Sequence, residues 1–105
     1  MIEFVLEELV TGDDARRRAL VRKICAEWPS VPALSICFAI TSAASLIEDN
    51  LGRNGVDAAL GPMVYKMTAL LAADIYALES MGQAPAKARD LLHFWRRVDP
   101  YFLEL

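Results

Sequence analysis

Apolar positions recur along this chain at helical spacing, and two stretches carry the pattern further than a small domain usually does. From Val31 to Ile47 no charged residue appears on any side of a helical wheel. From Met63 to Met81 the only charges are Lys66, Asp74 and Glu79. Helices of this kind bury most of their circumference, and a chain of 105 residues has little volume with which to surround two of them. The pattern predicts an all-α fold: a small antiparallel bundle of about four main helices, one domain over residues 1–105, completed by a second copy of the chain.

The run Ile2, Val5, Leu6 and Leu9 opens the chain with helical spacing, and Gly12 is a natural stop. Asp13 suits the cap of a second helix, whose stripe is Leu20, Val21, Ile24, Cys25 and Trp28. Pro29 and Pro32 punctuate the chain, with Ser30 as a cap for the helix from about Pro32 to Leu51. That helix has a strong stripe of Ile36, Ile40, Ile47 and Leu51, and a second side of Ser35, Ala39 and Ser42. Small residues spaced in this way let another helix approach closely.

Gly52 to Gly55 reads as a turn, and Asn54 as the cap of a short helical turn over Val56–Leu60 that Gly61 and Pro62 interrupt. The next helix, 62–81, sets Met63, Val64, Met67, Leu70, Leu71, Ile75 and Leu78 on its core side. Tyr65, Ala69, Ala73 and Tyr76 fall opposite. Ser35, Ala39, Ser42, Tyr65, Ala69 and Tyr76 are therefore the expected contact between two copies. Gly82 ends this helix, and Pro85 suits the first turn of the last one, whose stripe is Ala88, Leu91, Leu92 and Trp95. The apolar tail Tyr101, Phe102, Leu103 and Leu105 must dock on its own core or on a neighbour.

Charge and composition narrow the function classes. The hydrophobic fraction is 55% and the charged fraction 24%, which excludes a disordered chain. A net charge of −3 argues against a general nucleic-acid binder. The cluster Arg16, Arg17, Arg18, Arg22 and Lys23 wraps its helix and lies close to Glu3, Glu7, Glu8, Asp13 and Asp14, so a solvated, ion-paired face is expected. Spanning a bilayer takes about 20 apolar residues; the first stretch is shorter, and Lys66 and Asp74 are costly in lipid. Acidic residues near the amino terminus do not fit a signal peptide. Cys25 and Cys37 sit among apolar residues and read as reduced thiols of a cytoplasmic protein.

Candidate chemistry is sparse. Asp74 lies inside an apolar stripe, where a carboxylate needs a partner or a proton. Counting equal distances from the turn near Gly82 brings it near Leu91, so Arg89 and His93 are the expected partners in a buried polar cluster. That cluster is either a structural lock or the floor of a small-molecule site. His93 is the only histidine, without the spacing of a metal pair, and no serine or methionine pattern implies a nucleophile or a cofactor. The reading that follows is a non-enzymatic, homo-oligomeric interaction or regulatory module. The alternative is a ligand-binding bundle using Asp74, Arg89 and His93.

Overall fold

A computed structural model describes residues 1–50 and 60–104 of the chain. All seven elements among these residues are helices: α1 (Ile2–Thr11), α2 (Asp14–Arg18), α3 (Leu20–Glu27), α4 (Ala33–Asn50), α5 (Leu60–Ser80), α6 (Ala88–Arg97) and α7 (Tyr101–Glu104). The turn expected at Gly52–Gly55 and most of the short helix at 56–60 lie outside the described residues, as does Leu105.

The amino-terminal half follows its local signals. α1 stops at Gly12, whose N–H reaches back to the Glu8 carbonyl. A Cβ at Gly12 would collide with that same oxygen, so close approach is what requires glycine there. Asp13 caps α2 by accepting from the Arg16 N–H at 2.8 Å. The expected single helix over 14–28 is divided at Ala19, which closes α2 and opens α3. Leu20, Val21, Ile24 and Cys25 nevertheless form one buried stripe across α3. Pro62 does not interrupt α5. It lies in the first turn among the described residues of that helix, where the missing N–H is least costly.

Packing centres on the α4–α5 pair. The two run antiparallel: Glu48, near the end of α4, faces Gly61 and Tyr65 at the start of α5. The opposite ends meet through the 81–87 segment, whose Ala86 carbonyl accepts from the Ala33 N–H at 2.8 Å. α1 lies against α4 and buries Val5 and Leu9, while α6 packs on α3 and α5. The carboxyl-terminal α7 turns back on α3 and α6 and drives Phe102 into the core against Trp95, ring centroids 4.9 Å apart.

Two segments far apart in sequence are joined by backbone alone. Ala33 donates to Ala86, Ala88 to Val31 and Arg89 to Pro29, the last two at 2.9 Å. The first N–H of α4 is satisfied by this lacing instead of by Ser30. Lys87 precedes α6, and its N–H is held by the Asp90 carboxylate at 2.9 Å. Pro85 thus lies ahead of the last helix, outside its first turn.

Candidate functional site

Asp74 sits on the core side of α5 and is only 9% exposed. Its partner is Trp95, whose Nε1–H donates to Oδ2 at 2.9 Å in a buried hydrogen bond. The expected cluster with Arg89 and His93 is therefore not the one the fold assembles. Arg89 and His93 are both exposed, and His93 stands 3.2 Å from an Arg97 nitrogen. Loop length explains the difference. α5 ends at Ser80 and α6 begins only at Ala88, so the hairpin turns about residue 84 and not about Gly82. The register slides by one helical turn, from Leu91 to Trp95, and the face stays the same. A buried indole N–H calls for an acceptor, which was the signal available in the sequence.

Burial pushes the Asp74 carboxyl above the ordinary carboxylate value. The Trp95 hydrogen bond works against this, and the neighbouring Asp99 carboxyl adds to it. Asp99 itself accepts from the Tyr101 N–H at 3.2 Å and so starts α7. This junction of α5, α6 and α7 is a lock: a polar contact under an aromatic lid of Trp95 and Phe102. Among the described residues no buried side-chain nitrogen or oxygen is left without a hydrogen-bond partner.

The basic cluster is absorbed in the same manner. Glu8, nearly buried, takes both Arg16 Nε and Nη2, at 3.2 and 3.1 Å, with Lys23 at 3.5 Å. The Arg16 guanidinium holds the Glu8 carboxyl below its usual value against the opposing effect of burial, and Lys23 adds to the lowering. Arg18 pairs with Asp14 at 2.9 Å and Arg17 donates to the Leu9 carbonyl. Burial raises the thiols of Cys25 and Cys37 to about 12 and about 11, so both are neutral at pH 7 and poor nucleophiles. No group of histidine, cysteine or carboxylate side chains among the described residues is arranged to hold a metal ion, and no helix there is long and apolar enough to cross a membrane.

Exposed apolar side chains occur singly at Val10, Met81, Val98 and Tyr101, and as a group on the outer face of the α4–α5 pair. On α5 the expected residues Tyr65, Ala69 and Tyr76 are exposed, joined by Ala72 and Ala73; Tyr76 is 76% exposed. On α4 the expected side is largely taken. Ala39 is buried in the core, and Ser35 is half-buried in a depression it shares with Met1 and with Ile2 at the start of α1. Small residues do admit a close helix, and the helix admitted is the chain's own α1. The exposed side of α4 lies further round, at Leu34, Phe38, Thr41 and Ser45, with Leu34 59% and Phe38 67% exposed. Ser42 and Cys37 line the shallow groove beside Phe38. Tyr65 lies beside Glu48 across the seam between the two helices; partial desolvation, and then this carboxylate, raise its hydroxyl above the ordinary value.

Comparison of this chain with family models, with curated proteins and with solved structures finds no match.

Proposed function

We propose that this chain is a non-enzymatic helical interaction module that works as a homodimer, with the outer face of α4 and α5 as its contact. The observation that carries the reading is the exposure of Phe38 and Tyr76, at 67% and 76%, on a two-helix face whose central positions are all uncharged. Large apolar side chains gathered on one face mark an interaction surface more often than a solvent boundary. Part of the other candidate chemistry is engaged in holding the fold: Asp74 by Trp95, Arg16 and Lys23 by Glu8, Arg18 by Asp14 and Arg17 by the α1 backbone. A cytoplasmic setting goes with this reading, because Cys25 and Cys37 are unpaired thiols.

Taking about 200 Å² for a whole aromatic side chain, the exposed parts of Phe38, Tyr65 and Tyr76 come to roughly 350 Å² per copy. Two copies give roughly 700 Å² before Leu34 and the small side chains between are counted. The contact then stands near the lower bound, about 1,200 Å² in total, of stable protein interfaces. A dimer that dissociates on dilution is expected. Light scattering across micromolar concentrations tests it: the wild type should move from monomer mass toward twice that mass, and Phe38→Glu with Tyr76→Glu should stay monomeric while remaining folded. A wild type that stays monomeric throughout removes the proposal.

A further inference from the structure

The exposed stripes of α4 and α5 are compatible with one two-fold arrangement of a second copy, and the order of residue types on α5 favours it. On α5 the stripe is Tyr65, Ala69, Ala72, Tyr76: intervals of four, three and four, with the same residue types read from either end. Its mid-point lies between Leu70 and Leu71. On α4 the stripe is Leu34, Phe38, Thr41, Ser45, with the same intervals and a mid-point between Ala39 and Ile40. The helices are antiparallel, and Glu48 lies beside Gly61 and Tyr65. Stepping inward equally from that contact brings the two mid-points level to within one helical turn. A single two-fold axis, lying in the face and perpendicular to both helices, can therefore serve both stripes.

We infer that two copies pair through this axis, with α5 across α5 and α4 across α4, both antiparallel, forming a four-helix bundle at the interface. The inference rests on the homodimer reading and adds its register. On α5 it sets Ala69 against the partner's Ala72, so the helices approach closely at their crossing, as small side chains allow. Tyr65 and the partner's Tyr76 then fill the widening space at each end. On α4 the same operation sets Phe38 against the partner's Thr41 and Leu34 against the partner's Ser45, so large meets small at every position. None of these eight positions is charged. An isologous contact of this type closes at two copies and leaves no surface for further growth.

The register is tested by cysteine pairing in a Cys37→Ser background, with Cys25 left buried. Tyr65→Cys protein mixed with Tyr76→Cys protein should form a disulfide-linked dimer on mild oxidation, and neither should do so alone. The reason is distance: identical positions at either end of the stripe lie about 16 Å apart along the axis in this arrangement, beyond the reach of a disulfide. Leu34→Cys mixed with Ser45→Cys should link in the same way, through α4 alone. Either variant linking to itself as readily as in the mixture overturns the inference, and so does failure of both mixtures. A wild type that is dimeric by light scattering while both mixtures fail leaves the homodimer reading standing and removes only this register. A wild type that is monomeric removes both.

Discussion

The two sides of this molecule meet the same problem with different means. Around α6, the core is sealed from within the chain, with Val98 and Tyr101 left at the surface: α7 folds back, Phe102 covers Trp95, and Trp95 gives its N–H to Asp74. Around α4 and α5, α1 covers one flank and the outer face stays open, with Leu34, Phe38 and Tyr76 in solvent. The tail that could have covered that face is used elsewhere. The difference teaches that the apolar excess of the chain is not spread evenly; under the proposed function, stability and association are carried by separate regions.

That separation can be broken most directly at the sealed side. Phe102→Ala should cost about 3–5 kcal/mol, the range for truncating a fully buried aromatic, read as a lower urea midpoint. A loss under about 1 kcal/mol would mean that the tail does not seal the core. Asp74→Leu comes next, at about 1–3 kcal/mol, because it strands the Trp95 N–H. Asp74→Asn keeps an acceptor and removes the charge, so its stability at pH 7 should equal or exceed that of the wild type.

The pH profile sharpens the same contrast. Asp74 has a raised value in the fold, so its favourable contribution is complete below its ordinary value of 3.8 and drains away as pH climbs through the raised value. Glu8 has a lowered value, so its contribution is present above 4.5 and is lost as pH falls through the lowered one. Chemical denaturation from pH 3 to pH 7 should show Asp74→Asn gaining on the wild type as pH rises. Glu8→Gln should fall behind it over the same rise. The smallest effect belongs to the open side: Phe38→Ser should change the stability of the monomer by no more than about 0.5 kcal/mol, while weakening association in light scattering. A larger loss of monomer stability would show that Phe38 belongs to the core.

Much of this was legible in the sequence, because it depends on local pattern. α4 follows from a charge-free stretch and α5 from a charge-poor one, and their ends lie within two residues of those expected from Pro32 and Gly82 among the described residues. Asp13 and Gly12 act where their chemistry places them. The partner of Asp74 was not legible, because equal counting from Gly82 ignores the non-helical residues 81–87. The face of Asp74 was right and the turn was wrong. The small-residue side of α4 was read correctly as a place of close approach, but a sequence does not say whether the approaching helix is its own α1 or another copy. Leu34 and Phe38 opposite the Ile36, Ile40 and Ile47 stripe carried that information, since a flank opposite the core is the last to be covered.

The exchange of backbone hydrogen bonds between residues 29–33 and 86–89 has a consequence for how the chain can be divided. Each partner lies more than fifty positions from the other, so neither half closes its own helix start. Cutting the chain after Ser80 would leave the Ala33 amide and the Pro29 and Val31 carbonyls without those bonds, although every residue of the outer face would still be present. The shortest fragment able to present that face in its native shape must therefore extend at least into α6.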